Sequence, residues 1–449
     1  MFGYNNLGFG ADGIVEHDAD LTLLYQFDQT KSLVAVDSLG PTLGITRATD
    51  ATYFDSAGVM QTASSGVARF NHLPISPFTS LGLLVEEERT NICLYSEDLT
   101  HATWTETNTD QPTTNNAAPD GATTADEIAA TSTADQAFAI YQAFTGRTAG
   151  QSTSISVFLK SGTNATKAQL TFDSDGSGAD GVFCNFDLSA GTAGTVTALA
   201  AGTATSSSIT DIGDGWYRCN IVGKIAAGTV ARLTISISDN ISGAVFEAAN
   251  LTDNDSIICW GSEINVNVTF ETSYIPTVAA SVTRNQDDVR SVDVSWLDTA
   301  STLVGTIYFE ASVPQLQAQV AMLGQFDDGA TIQRIEFGFM GSDNKPRLKT
   351  FSSGGGNGNI FTSAVTPDTT FRVAAAYADD DLALSHDGAA VVTDATANFP
   401  LGAPTALLLV GRGFVSNQQL NGHLRELRYY NVRKANTFLV DLSSGARPE

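Results

Sequence analysis

The fold is decided by residues 152–188, which read STSISVFLKSGTNATKAQLTFDSDGSGADGVFCNFDL. Three runs rich in β-branched and aromatic residues are separated here by turns of Gly, Asn, Asp and Ser. Apolar and polar residues alternate within the runs, as they do in strands that bury one face. The stretch therefore predicts consecutive β-strands joined by short turns.

The same pattern recurs on both sides of this stretch. Further strand patterns are LTLLYQF (21–27), AFAIYQAF (137–144), GWYRCNIVG (215–223), ARLTISIS (231–238), SIICWGSEI (256–264), LVGTIYFEA (303–311), TFRVAAAYA (370–378) and GHLRELRYYN (422–431). Helix signals are confined to SEDLTHATW (96–104), ATTADEIAA (122–130) and NTFLVDLSS (436–444). We predict an all-β protein with two β-sandwich (jelly-roll) domains and very little helix.

The spacing of the strand patterns also predicts a division of the chain. The predicted parts are an N-terminal docking arm (1–20), an N-terminal β section (21–104), a jelly roll (105–275), a connector (276–300) and a second β-sandwich (301–449). The arm is rich in Gly, Asn and Asp with scattered aromatic residues, which is typical of a segment that docks on a neighbour.

Composition excludes several classes of partner. The chain of 449 residues carries 23 Lys and Arg against 49 Asp and Glu, a formal net charge of −26. This charge argues against a nucleic-acid backbone or an anionic membrane surface as the partner. The sequence has no run of 18 apolar residues and no signal-peptide pattern, so we expect neither membrane insertion nor export. The four cysteines form no C-x-x-C pair, which predicts buried free thiols.

The acidic triplet in VEEERTN (85–91) has two interpretations. Its carboxylates could serve a glycosidase, but that chemistry needs a separation that neighbouring residues on one strand rarely give. The alternative is a structural brace formed by Glu86, Arg89 and Asn91, in which Arg89 pairs with a glutamate and Asn91 caps or turns the backbone.

A second acidic stretch, DSDGSGAD (173–180), is a candidate calcium site through Asp173, Asp175 and Asp180. It departs from the EF-hand pattern, because glycine stands at the fourth place and Cys184 at the twelfth. The alternative is a solvated hairpin turn. The histidines show no metal-ligand spacing, so we expect no catalytic metal and no cofactor other than this possible calcium.

Aromatic residues provide the candidate binding site, since sugars stack on flat rings flanked by a few polar groups. The candidates for glycan binding are Trp216, Tyr217 and Trp260, which lie on strand patterns near turns. Neighbours on a strand point to opposite faces, so one of Trp216 and Tyr217 belongs to the core. Core packing is the alternative interpretation for each tryptophan.

Residues 82–104, GLLVEEERTNICLYSEDLTHATW, resemble a segment of tailed-bacteriophage virion proteins of the form G-L-L-[IV]-E-x-x-R-T-N-L-L-x-Y-S-E-x-[FL]-x-x-x-x-W. The matching residues are Gly82, Leu83, Leu84, Glu86, Arg89, Thr90, Asn91, Tyr95, Ser96, Glu97 and Trp104. GDGWYRC (213–219) and CWGSEI (259–264) resemble parts of a carbohydrate-binding jelly roll. Residues 420–442 resemble the end of a concanavalin A-like, laminin-G-type domain.

The resemblance implies a structural protein of the tail-fibre, tailspike or head-decoration kind, and it transfers no catalytic residue. Our leading expectation is a non-enzymatic, tail-associated receptor-binding or adhesion protein that recognises host surface glycans. The alternatives are a capsid decoration or head-fibre protein and, third, a polysaccharide depolymerase. The implied partners are other virion proteins and further copies of the chain, such as a trimer, on a virion surface assembled in the host cytoplasm.

Overall fold

The computed structural model of the chain is an almost entirely β-stranded molecule, with 49% of residues in strands and 4% in helices. It describes residues 17–133, 136–246, 250–297, 304–314, 320–329, 333–339, 341–352, 355–397, 406–415 and 418–446. The predicted docking arm lies outside the described residues except for 17–20. The predicted all-β class is confirmed. Of the helices within these ranges, none has the length and apolarity to cross a bilayer.

The N-terminal section contains short strands and one helical turn, α1, at Phe27–Thr30, with a 3₁₀ turn at Val36–Ser38. Its strands are β1 Leu21–Gln26, β2 Gly44–Thr46, β3 Ala51–Phe54, β4 Met60–Ala63, β5 Phe70–His72, β6 Ser80–Val85 and β7 Arg89–Asn91. Strands β3 and β4 pair only with each other, as a hairpin.

The first sandwich follows directly. Its strands are β8 Thr105–Thr107, β9 Thr113–Asn116, β10 Ala125–Ala129, β11 Phe138–Phe144, β12 Ser152–Ser161, β13 Lys167–Asp173, β14 Asp180–Asp187, β15 Thr192–Ala193, β16 Thr197–Ala200, β17 Thr203–Gly213, β18 Trp216–Lys224, β19 Ala231–Ser238 and β20 Ser256–Val266. One sheet has the order β17-β18-β12-β20-β10-β9, and the other β15-β14-β13-β19-β11-β8 with β16 beside β14. The two sheets enclose one core, which includes Ile140, Ile155, Phe172, Cys184, Leu233 and Cys259.

Strand β21, Val282–Arg284, pairs with β7 in a separate two-stranded sheet. The strands that follow it build the second sandwich. They are β22 Asp288–Ser291, β23 Gly305–Ser312, β24 Ala321–Asp327, β25 Arg334–Phe339, β26 Pro346–Ser352, β27 Gly355–Phe361, β28 Thr370–Ala378, β29 Asp381–His386, β30 Val392–Asp394, β31 Leu407–Val410 and β32 Gly422–Tyr430. A 3₁₀ turn at Gly341–Asp343 follows β25, and helix α2, Asn436–Ser443, packs on the outside of a sheet through Leu439 and Leu442.

The N-terminal section supplies part of this second sandwich. One sheet has the order β30-β29-β28-β23-β32-β6-β5 with β1 also on β32, and the other has β2-β22-β31-β24-β25-β26-β27. The core between them takes Tyr25 and Leu83 from the N-terminal section and Phe309, Phe326 and Leu427 from the C-terminal part. The second sandwich is therefore closed by strands from both ends of the chain.

The two internal helix signals were wrong. Residues 122–130 contain strand β10, in which Asp126 pairs with Cys259 of the buried strand β20. Residues 96–104 form turns, where the Leu99 amide donates to the Asp126 carboxylate at 2.6 Å. In both places tertiary pairing overrides weak local propensity. The C-terminal helix is confirmed at Asn436–Ser443, and the four cysteines are buried free thiols as predicted.

Candidate functional site

A cleft of about 370 Å³ opens where the β3–β4 hairpin, the first sandwich, the segment after β20 and the second sandwich meet. This segment, residues 267–297, begins before the predicted connector and is called the connector below. Its size falls in the range of small-molecule sites, and junctions between domains are a common place for them. Its lining comes from segments far apart in sequence: 52–54, 71–74, 210–218, 270–274, 312–314 and 421–423. The cleft is thus a product of the tertiary fold.

The apolar wall of the cleft carries half-buried aromatic rings. Tyr53 and Phe54 come from β3, and Phe270 comes from the connector. The guanidinium of Arg89 lies 4.6 Å from the centroid of the Phe270 ring, so one face of that ring is already covered. Among the described residues, no hydrogen bond engages the Tyr53 hydroxyl. Tyr53 is therefore the aromatic residue best placed to stack on a ligand.

Two carboxylates, Glu271 and Asp368, line the polar side of the cleft. The Glu271 side chain is 25% exposed and its Oε2 lies 3.3 Å from the Arg218 Nε. Burial raises the pKa of Glu271 against the charge of Arg218, and the charge of Asp368 raises it further. Desolvation also raises the pKa of Asp368. Asp368 is exposed in a turn, and within the described residues no hydrogen bond or ion pair engages its carboxylate.

Arg218 lines the cleft and is held by several acceptors of the protein. Its guanidinium donates to Glu263 Oε2 at 2.6 Å, to the carbonyl of Thr272 at 2.6 Å and to the hydroxyl of Ser156. Burial raises the pKa of Glu263 to about 7, although the charge of Arg218 acts in the opposite direction. The arginine thus holds the connector against the first sandwich.

His423 and Asn71 form a polar pair on the opposite wall. The Asn71 side-chain oxygen accepts the Phe54 amide at 2.7 Å, which leaves its Nδ2 to donate to His423 Nε2 at 2.9 Å. His423 must then be an acceptor at Nε2, and a proton there would bring two donors face to face. Burial lowers the pKa of His423 to about 4, and the charges of Arg69 and Arg425 add to the shift against that of Glu86.

An ionic network lies beneath the cleft and joins its walls. It consists of three groups of ion pairs. Arg47, Arg69 and Arg284 pair with Glu86 and Asp287, Arg89 pairs with Glu87, and Arg218 pairs with Glu263 and Glu271. Asp287 is buried and pairs with Arg47 at 2.8 Å and Arg69 at 2.5 Å, and it accepts the Glu86 amide at 2.9 Å. The network ties residues 47–89 to residues 218–287.

Glu86 stands at the centre of this network. Its Oε2 lies 2.7 Å from Arg69 and 2.9 Å from Arg284, both of which are fully buried. The amide and hydroxyl of Ser273 donate to it at 2.7 and 2.6 Å. Burial alone would raise the pKa of Glu86, but the two arginines and Ser273 hold it below its usual range. Glu86 therefore stays ionised inside the protein.

The other residues of the predicted brace lie beside it. Arg89 pairs with Glu87, and a reciprocal pair of hydrogen bonds joins Glu87 to Asn421 of the second sandwich. Asn91 is fully buried and uses all of its side-chain hydrogen-bonding groups. It donates to the carbonyls of residues 262 and 275 and accepts from the amides of residues 93 and 264. A neutral residue thereby links β7, β20 and the connector.

The structure places the three predicted glycan-binding aromatics outside the open part of the cleft. Trp260 is 1% exposed and packs against Phe158 and Tyr274 at ring distances of 5.4 and 5.0 Å. Trp216 is 3% exposed in the same cluster. We correct the glycan-binding prediction for Trp216 and Trp260, because both rings are buried in a cluster that includes Met60 of the β3–β4 hairpin. Tyr217 is half-buried on the other face, against the core of the first sandwich, and its role in glycan binding stays a prediction.

The candidate calcium residues are held apart by hydrogen bonds within their own loop and to a neighbouring one. Asp173 accepts the Gly178 amide at 3.1 Å, and Asp175 accepts the Ser177 amide at 2.9 Å. Asp180 instead accepts the amides of residues 226 and 227. Across the part of the chain that the structure describes, no group of three or more His, Cys, Asp or Glu side chains is placed to hold a metal.

Sequence reasoning missed the residues that make the cleft. Tyr53, Phe270, Glu271 and Asp368 lie in three segments, and each segment on its own has the pattern of an ordinary strand end or turn. One signal was available in ATYFDSAG (51–58), where Tyr53 and Phe54 are adjacent in a strand and must point to opposite faces. It is the same kind of signal, two adjacent aromatic residues on a strand, that made Trp216 and Tyr217 candidates.

No protein-family model matches the chain, and no curated protein matches it. Similar solved structures include domain 4 of an extracellular arabinanase from Geobacillus stearothermophilus in complex with arabinotriose, with 14% identity over 39% of this chain and 83% of that one and a TM-score of 0.28. The carbohydrate-binding module of a Ruminococcus gnavus sialidase matches with 12% identity over 31% of this chain and 82% of that one, with a TM-score of 0.27. Two domains of the mouse laminin alpha1 chain match with 12% identity over 66% and 85%, with a TM-score of 0.23. At such identities and TM-scores, these similarities support no inference about a ligand.

Proposed function

We propose that the chain is a glycan-binding adhesion protein of a tailed-phage virion, and that the cleft beside Tyr53 is its binding site. The observation that supports the binding site is the cleft itself, with a half-buried ring on one wall and hydrogen-bonding groups on the other. Such a combination suits a sugar, whose apolar face stacks on a ring while its hydroxyls meet carboxylates and amides.

The virion location rests on the resemblance of residues 82–104 to tailed-phage proteins. In this proposal the chain stands on the particle surface as a homo-oligomer such as a trimer, bound to other virion proteins. Several weak sites on one particle then act together, because the second binding event becomes intramolecular once the first has formed. Reversible attachment to a host surface requires no covalent chemistry.

The binding site is tested by comparing two tyrosines. Tyr53→Ala is expected to weaken binding to a bacterial glycan array at least tenfold, as removal of a central aromatic contact commonly does. Tyr217→Ala is the matched control, because Tyr217 is also half-buried on a strand but lies against the first core. A cooperative thermal unfolding transition in each variant confirms that both fold. A loss of binding only in Tyr217→Ala would show that the cleft is the wrong site.

The location is tested by gold-antibody labelling of intact virions in the electron microscope. Label on the tail supports adhesion, and label over the head supports the alternative of a decoration or head-fibre protein. Absence of label from every particle, with the protein present in infected cells, would overturn the virion proposal.

One observation favours the alternative of a depolymerase: the carboxylates of Glu271 and Asp368 line the same cleft. Glycoside hydrolysis uses two such carboxylates, one of them with a raised pKa. This candidate predicts that the chain releases reducing ends from host polysaccharide and that Glu271→Gln abolishes the release. Binding without any release of reducing ends would leave adhesion as the function.

A further inference from the structure

We infer that the cleft selects its glycan by charge, taking neutral or amine-bearing sugars and excluding sugars that carry carboxylate or sulfate groups. This inference rests on the proposed function, because it names the ligand class of the same site. It is carried by the charges that face the cleft and by the partners that those charges already have.

The cationic groups around the cleft are held by other partners or are buried out of reach of an acidic sugar. Arg218 is committed to Glu263, Glu271, Ser156 and the Thr272 carbonyl. The arginines beneath the floor are fully buried and paired within the ionic network. Neutral His423 receives a hydrogen bond from Asn71 through its one acceptor nitrogen. Recognition of a carboxylate or sulfate normally uses a guanidinium with free parallel donors, and none of these groups offers them.

The anionic groups, by contrast, are not fully compensated. Glu271 shares Arg218 with Glu263, and Asp368 has no cationic partner among the described residues. The two carboxylates are close enough for the charge of Asp368 to act on Glu271. A ligand ammonium would relieve this repulsion and neutral hydroxyls could donate to both groups, whereas an anionic ligand would increase it.

The aromatic wall points to the same classes of ligand. Tyr53 and Phe54 offer apolar contact without charge, and the partial negative charge on a ring face favours positive or neutral groups above it. An acidic substituent would therefore meet repulsion on both walls of the cleft. Selection by exclusion is a common route to specificity in weak binding sites.

The test is a glycan array that carries neutral, amine-bearing and acidic polysaccharides, followed by titration of the purified chain with size-matched oligomers. The titrated oligomers are chitin fragments, chitosan fragments and oligogalacturonate. We expect binding to the first two at least tenfold tighter than to the third. Asp368→Asn is expected to reduce the ratio of these affinities about fivefold, because one unscreened charge a few ångströms away in water changes an affinity by about that factor.

Glu106→Gln is the matched control, because Glu106 is an exposed carboxylate on β8, outside the cleft lining. It removes the same charge and should leave the ratio unchanged. Equal or tighter binding of acidic glycans, or an Asp368→Asn ratio like that of the control, would overturn the inference while leaving glycan binding intact. Absence of any binding on the whole array would instead overturn the proposed function, and the inference with it.

Discussion

Replacing Glu86 with glutamine gives the sharpest test of the ionic network. The variant Glu86→Gln keeps the size and shape of the side chain and removes one buried negative charge. The native carboxylate receives Arg69, Arg284 and two donors from Ser273. A glutamine amide in either orientation points its NH₂ at a donor, either an arginine or the Ser273 amide.

The cost follows from these contacts. The variant leaves the buried cations Arg69 and Arg284 without the carboxylate that lies between them, and breaking a buried ion pair from one side costs about 3–5 kcal/mol. For sandwiches of this size, one kcal/mol corresponds to about 2–4 °C in Tm. We therefore expect Glu86→Gln to lower the Tm by about 6–20 °C.

The assay is thermal unfolding at pH 7 followed by circular dichroism, with Glu88→Gln as the control. Glu88 belongs to the same acidic triplet but is exposed, and among the described residues its carboxylate accepts a hydrogen bond from Asn285 alone, at 2.9 Å. A surface contact of this kind contributes little, so the control should remain within about 2 °C of the native chain. If both variants unfold at the same temperature, the ion pairs of Glu86 do not contribute measurably to the stability of the fold.

Two further predictions concern His423 and Trp260. Because the folded-state pKa of His423 is about 4 and the unfolded value near 6.5, its neutral form stabilises the fold fully above pH 6.5 and progressively less as the pH falls towards 4. Between pH 7 and pH 4 the free energy of unfolding of the native chain should therefore fall by up to about 3 kcal/mol more than that of His423→Gln. Urea unfolding at both pH values measures this difference, and equal decreases in the two proteins would contradict the prediction. Trp260→Ala should cost about 3–5 kcal/mol by the same measurement, because the ring is enclosed by Phe158 and Tyr274. Unchanged stability with lost glycan binding would instead return Trp260 to the binding site.

The strands could be predicted because their signal is local. In residues 152–188 the side-chain alternation and the turn residues both lie within each segment, and strands β12, β13 and β14 appear where the pattern places them. The signal failed at residues 122–130, where good helix formers occupy β10. There the partner is strand β20, more than a hundred residues away, and its pairing energy exceeds the local preference.

The site could be predicted only in part, for the same reason. The pairing of Arg89 with a glutamate is local, and it is present with Glu87. The partners of Glu86 are distant, since Arg284 and Ser273 come from the connector. The cleft is still less local, because its ring and its carboxylates come together only after both sandwiches close. No pattern within a single segment indicates that Tyr53, Glu271 and Asp368 line one cleft.

The cleft and the ionic network share Glu86, Arg218 and Glu271, so the stability of the junction and the shape of the site depend on the same contacts. Arg218 holds the connector through the Thr272 carbonyl, and the next residue, Ser273, is held by Glu86. The wall that carries Phe270 and Glu271 is therefore fixed before a ligand arrives. A fixed wall lowers the ordering cost of binding, which matters for ligands that bind weakly through each site. The buried charges, costly as they are to desolvate, thus serve to keep a shallow site in one conformation.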